Sequence, residues 1–278
     1  MAHPLYLHFT TPHYQFEMSL TERKGILHTY HFLVGDVAKP CLEGFVNLES
    51  TNNRLRHSAN TAHLTKIDAL QECSLNDISD EYMATNSFGS ELLDTVLFFI
   101  NSQFPSVETV SFTDTSYIPC IRESNETVDL LTYSVALYKK TWYEEKINAY
   151  IKPKEKYDAY RQQVERYASK ERKSGMHYED ILQLVRKGSA FSRDYFEKNH
   201  EALELCFAKS DTLPDFFKEI SRLVPRKDKC AFFKEWLQSF IYSEIMIDRT
   251  WYVDPSQAKL ESIRVGHNAG SFSKTPYD

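Results

Sequence analysis

The sequence predicts an α+β protein: a mixed, mainly antiparallel sheet with helices, followed by an all-helical C-terminal domain. Three observations predict it. Up to about residue 75, apolar and polar residues partly alternate in short runs split by turn material. Beyond about residue 152 the apolar residues recur at helical spacing. The net charge of −6 also divides unevenly: residues 1–150 carry 10 Lys and Arg against 19 Asp and Glu (−9), and residues 151–278 carry 23 against 20 (+3). The expected domains are 1–150, an α/β domain; 151–255, a helical domain of four or five helices; and 256–278, a polar, mobile tail.

The elements follow in order. "YLHFTTPHYQFEMSL", "GILHTYHFLVGD", "LEGFVNLES" and "TAHLTKIDALQECSL" are rich in β-branched and aromatic residues. "ERKG", "GDVAKP" and "STNNR" separate them, short enough for an antiparallel meander. The period then changes. In "SELLDTVLFFINSQFP", Leu92, Leu93, Val96, Phe99 and Ile100 fall at helical spacing, with Ser90 as N-cap and Pro105 past the end. "SVETVSFTDTS" returns to period two. Leu131, Val135, Tyr138 and Trp142 then form one stripe, which predicts a single helix through "SVALYKKTWYEEKI". From residue 152, "PKEKYDAYRQQVERYASKERK" places Tyr157, Tyr160, Val164 and Tyr167 on one side. "YEDILQLVRKG", "EALELCFAK", "LPDFFKEISRLVP" and "CAFFKEWLQSFIYSEIMI" continue the helical pattern.

Composition removes several classes. No apolar run approaches the ~18 residues a membrane span needs, and the N-terminal stretch lacks the pattern of a signal peptide. Eight glycines in the chain leave little material for backbone-lined phosphate sites. Cys41, Cys73, Cys120, Cys206 and Cys230 form no CxxC and read as reduced thiols, pointing to the cytoplasm or nucleus. The ten histidines include no HExxH, and His28 and His31 point to opposite faces of a strand, so no metal is expected.

The order of strands, helix, strand and helix resembles the acyl-CoA-dependent GNAT N-acetyltransferase superfamily over roughly residues 15–145. The leading strand is "KIDALQECSL", the helix "SELLDTVLFFINSQ", the next strand "VETVSFTDTS", and "ALYKKTWYE" stands at the final motif. The resemblance implies acetyl-CoA as cofactor and an amine-bearing acceptor. It implies backbone amides of Asn86, Ser87, Phe88, Gly89 and Ser90 around the pyrophosphate, and Tyr138 as the acid that protonates the leaving thiolate. Glu72 is the candidate base, acting through a water. The family's turn is Q/R-x-x-G-x-G/A. Here it is "NSFGSE", with one fitting glycine and Glu91 in place of a small residue. That difference supports a second reading, a non-catalytic interaction or structural protein on the same scaffold. "ALYKKTWYE" also resembles uncharacterised proteins of giant DNA viruses of the marseillevirus kind, which would place the chain in host cytoplasm or virion.

Each candidate has a plainer alternative. Tyr138 packs on its stripe, Glu72 is a solvated strand residue, and Asn86–Ser90 is an ordinary helix cap. Residues 151–173 hold eight basic and four acidic side chains interleaved with tyrosines. Lys152, Lys154, Arg161 and Arg166 are candidate nucleic-acid contacts there, by phosphate pairing with base stacking. The alternative is an amphipathic helix with a solvated charged face. Partners are therefore an amine acceptor, a protein or a nucleic acid, and no membrane.

Overall fold

A computed structural model describes residues 4–12, 14–24, 27–49, 60–67, 88–119, 127–225, 228–234, 236–258 and 264–267. The chain divides into two units. Unit 1 is Met1–Thr113, Ile147–Ala149 and Tyr252–Asp278; unit 2 is Asp114–Lys146 and Tyr150–Trp251. The division differs from a cut near residue 150, because residues 114–146 go with the helical part.

Unit 1 is built on a sheet. Its strands are β1 (Leu5–Thr10), β2 (Gln15–Lys24), β3 (Leu27–Asp36), β4 (Lys39–Glu49), β5 (Thr61–Ile67), and then β6 (Val110–Thr113) after helix α1 (Phe88–Gln103). β1 to β5 form the expected antiparallel meander. β6 lies parallel to β5, with Ala62 opposite Val110 and Leu64 opposite Phe112, so α1 lies on a β–α–β crossover. The sheet order is β10-β1-β2-β3-β4-β5-β6-β9, where β9 is Thr250–Val253 and β10 is Arg264–His267.

Alternation assigns the two sheet faces. Leu7, Met18, Val34 and Leu42 share one face through their register, as do Leu20, Phe32, Gly44, Leu64 and Phe112. All are buried. Phe99 of α1 packs there, its ring 6.2 Å from Phe9 and 5.8 Å from Phe32. Gly44 makes room for Phe32: an added Cβ would lie 2.5 Å from the ring's Cζ and 2.9 Å from the His63 carbonyl oxygen. The other face is half-buried and mixed, with His31 bonded to Glu43 at 2.8 Å and stacked on Phe45, and Thr29 donating to Asn47 at 3.0 Å.

Unit 2 carries β7 (Tyr117–Pro119) and β8 (Thr127–Asp129), an antiparallel pair, so this unit is not all-helical. Its helices are α2 (Leu130–Tyr138), α3 (from Trp142), α4 (Lys154–Tyr167), α5 (Lys170–Ser174), α6 (Tyr178–Val185), α7 (Ala190–Lys198), α8 (His200–Lys209), α9 (Leu213–Leu223), α10 (Lys229–Phe233) and α11 (Trp236–Glu244). Eight of these start after residue 151, against the four or five expected. Side-chain caps explain several starts: Ser169, Ser189 and Thr212 accept from the backbone N–H groups of Arg172, Ser192 and Asp215. The core is aromatic. Phe196 stacks on Phe232 at 5.3 Å, and Phe217 meets Trp236 at 5.9 Å and Phe240 at 5.4 Å.

Three further expectations change. "YLHFTTPHYQFEMSL" is two strands, not one, because the Thr11 hydroxyl and amide close a turn onto Tyr14. Arg264–His267 of the expected mobile tail is strand β10, paired antiparallel to β1; most of that tail lies outside the described residues. Cys41 and Cys230 each take part in a disulfide bond, so the five cysteines are not all reduced, and Cys206 is free.

Candidate functional site

The start of α1 is the first place to look for an anion site. Asn86 and Ser87 lie outside the described residues, as does Glu72. Phe88 is buried, its ring 5.1 Å from Tyr14 and 5.8 Å from Phe16, so it anchors the helix start to the sheet. Gly89 is buried beside it and Ser90 is half-buried. The first turn also holds Glu91, which is buried and accepts a 2.5 Å hydrogen bond from the Thr11 hydroxyl. A carboxylate there suits the positive end of the helix dipole. It would also meet an incoming pyrophosphate as a like charge, with Asp94 buried one turn on.

Tyr138 belongs to unit 2 and Phe88–Ser90 to unit 1. Tyr138 is the last residue of α2, and the stripe that predicted one long helix breaks there. Lys139 takes the left-handed conformation at φ 62° and ends α2, and α3 starts at Trp142. Tyr138 is consequently 54% exposed rather than packed on its stripe, with the Lys218 Nζ 5.9 Å from its ring centroid.

The same stretch contains a group the sequence reading missed. Thr141 and Glu144 form a capping box: the Thr141 N–H donates to Glu144 Oε2 at 2.7 Å, and the Glu144 N–H donates to the Thr141 hydroxyl at 3.1 Å. The buried Glu144 carboxylate also accepts from the hydroxyls of Tyr160 (2.9 Å) and Tyr157 (3.1 Å) and from Arg161 Nη1 (3.3 Å). Burial first, and then the Glu144 charge, push Tyr160 well up and Tyr157 up to about 12. The spacing T-x-x-E was the available signal for the box.

That cluster revises the nucleic-acid candidates. Arg161 turns inward, donating to the Lys139 carbonyl at 2.9 Å as well as to Glu144, and so is spent on structure. Lys152, Lys154 and Arg166 are exposed. Tyr160 and Tyr167 are buried in the core, which removes them as stacking platforms.

A groove of about 570 Å³ lies between α8 and α9. Ala202, Leu205, Cys206 and Lys209 line it from α8, and Asp215, Glu219 and Leu223 from α9, with Ser210 and Asp211 at the connecting turn. Leu205 and Leu223 are about half exposed. Asp215 and Glu219 stand one helical turn apart on α9, and Asp211 lies in the turn before it. Asp211 pairs with Lys170 at 3.4 Å, both more than two-thirds exposed, and Glu219 pairs with exposed Arg222. Such surface pairs are easily exchanged for another cation. Asp215 accepts from the Thr212 hydroxyl at 2.6 Å.

Among the described residues, no group of three or more His, Cys, Asp or Glu could hold a metal ion, and no helix is long and apolar enough to cross a membrane. In comparison with known proteins, no family model, no curated protein and no solved structure matches this chain.

Proposed function

We propose that the chain is a binding protein on an acyltransferase-like layout, and that the groove between α8 and α9 takes a basic, amphipathic helix of a partner protein. The observation that carries the reading is the groove itself: half-exposed Leu205 and Leu223 line it together with three carboxylates, Asp211, Asp215 and Glu219. A helix with Lys or Arg at matching one-turn intervals would pair with that row and set apolar side chains against the leucines. The buried Glu91 and Phe88 at the start of α1 support a binding role over cofactor chemistry, since both occupy the turn where a pyrophosphate would have to sit. A protein partner is favoured over nucleic acid by the inward Arg161 and the buried tyrosines of α4. That Cys41 and Cys230 each take part in a disulfide favours a setting in which disulfides persist, such as a virion, over reducing cytoplasm.

A second reading, an N-acyltransferase using acetyl-CoA with Tyr138 as acid and Glu72 as base, is favoured by one observation, the parallel β5–α1–β6 crossover. One melting experiment on the full chain separates the two, because a ligand of the native state raises the midpoint. An amphipathic peptide of about 14 residues with lysines one turn apart should raise it, and millimolar acetyl-CoA should not. Glu219→Lys with Asp211→Lys should weaken peptide binding at least about tenfold by fluorescence anisotropy. A shift with acetyl-CoA alone would favour the transferase, and no peptide binding would end the docking proposal.

A further inference from the structure

The apolar side of the groove does not end at Leu223. Tyr195 of α7 donates its hydroxyl to the Leu223 carbonyl at 3.2 Å. That carbonyl is one of the last in α9, which the helix itself leaves without a donor, so the phenol ties α7 to the end of α9. The Tyr195 ring packs edge-on against buried Phe232 at 5.1 Å and lies 6.2 Å from the ring of Phe191, one turn earlier on α7. Phe191 is 38% exposed, and Leu205 and Leu223 are 53% and 52% exposed. Single exposed apolar side chains are ordinary, whereas a connected set marks a contact surface.

Charge changes along that surface. The connection at 210–212 is short, which makes α8 and α9 neighbours that run back on each other. Asp211 sits at this turn, Asp215 and Glu219 follow along α9, and Leu223 ends it. Asp215 and Leu223 are about 12 Å apart along the helix axis. Lys209 is the one base in the lining, so three carboxylates outweigh it. Lys170 and Arg222 pair with Asp211 and Glu219 at exposed positions and are readily displaced. Past Leu223 come Tyr195 and Phe191. One end of the surface is therefore acidic and the other aromatic.

We infer that this surface sorts its partner helix lengthwise: a basic half lies over Asp211, Asp215 and Glu219, and a bulky apolar side chain at the other end seats against Leu223, Tyr195 and Phe191. The inference rests on the docking reading above and adds to it a polarity and an anchor. Its occupant is a helix with lysines gathered toward one end, not one with lysines along its full length. The two halves do different work. Exposed carboxylates steer the partner and fix its register, with little gain in affinity. An aromatic anchor supplies most of the affinity. Tyr195 is the positioning residue, because its bond to the Leu223 carbonyl joins the anchor to the groove.

The experiment compares helical peptides of one composition on the full chain by fluorescence anisotropy. One carries its lysines in the half away from a terminal Trp-Leu pair, and is made with the lysine end at either terminus. The other has the lysines spread evenly. The tighter segregated form should bind about fivefold better than the even one. Phe191→Ala should cost that peptide about fivefold and leave its salt dependence unchanged, because the carboxylates remain. Met246→Ala, at an apolar residue 81% exposed elsewhere, should change nothing. Carbodiimide should join the peptide lysines to Asp211, Asp215 or Glu219, and a photoreactive group at the apolar end should label Phe191, Tyr195 or Leu223. Equal binding of the segregated and even peptides, a photolabel at the acidic end, or a Phe191→Ala chain that binds as before would overturn the inference while the docking reading stands. Binding of no peptide would end both.

Discussion

The two units hold themselves together by different means. In the sheet of unit 1, alternation separates a fully covered face from a half-buried one. Its polar pairs, such as His31 with Glu43 and Thr29 with Asn47, lie at the half-exposed side, where an ion pair contributes little. Unit 2 instead sets largely buried carboxylates, Glu144, Glu244 and Asp129, against its arginines. Glu144 gathers two tyrosines and an arginine. Arg172 clasps Glu244. Arg249 donates to Asp129 at 3.1 Å and to the Asp114 carbonyl at 3.1 Å. A sheet orders its strands by backbone pairing and needs side chains mainly to choose a face. Short helices have no such ladder between them, so specific polar contacts between distant residues fix which helix meets which.

This contrast can be broken by substitution. The largest effect is expected at Glu144→Ala, which leaves Arg161 and two tyrosine hydroxyls without their shared acceptor. It should cost about 3 kcal/mol of stability in chemical denaturation. A cost no greater than that of an exposed glutamate such as Glu155 would show that the buried anchors do not hold the helical unit. Next comes Gly44→Ala in the sheet. Its Cβ must displace the fully buried Phe32 ring and cannot shift the His63 backbone, so a loss of about 2 kcal/mol is expected, partly restored by adding Phe32→Leu. A neutral result would mean that the sheet tolerates overpacking on its covered face.

The smallest effect sharpens the contrast through pH. Burial raises the Asp114 carboxyl in the folded state, against the opposing pull of the two Ser116 donors and Arg249. A carboxyl raised on folding contributes stability below its unfolded pKa and loses it as pH rises through the folded value. Asp114→Asn should therefore stabilise the chain at pH 7 and leave it unchanged at pH 3. Destabilisation at pH 7 would mean that the Ser116 donors, with the smaller pull of the Arg249 charge, outweigh the desolvation.

What was legible in the sequence follows from the same contrast. β2 to β5 and α1 stood out because their apolar residues repeat at the period of the element, as in Phe16–Met18–Leu20 and Leu92–Val96–Phe99. β1 merged with β2 because the turn at Thr11–Tyr14 is closed by a side-chain hydroxyl rather than by glycine. α7 escaped notice because "AFSRDYFEK" buries only Ser192 and Phe196. β10 escaped because an edge strand pairs through its backbone and "RVGH" needs no apolar signal. At the candidate sites, the stripe through Tyr138 and Trp142 was real as a pattern. The T-x-x-E box at Thr141 outweighed it, and that box carries Arg161 inward. Neither the Glu91–Thr11 bond nor the Tyr195–Leu223 bond has any local signature, since each joins residues at least 28 positions apart.

The pairing of β10 with β1 has a consequence for synthesis. Among the described strands, the first in chain order is covered on its outer edge by the last, with Leu7 opposite His267. While the ribosome is still translating, the backbone donors and acceptors along that edge of β1 have no cover. A nascent chain stalled before residue 264 would offer them to any passing strand.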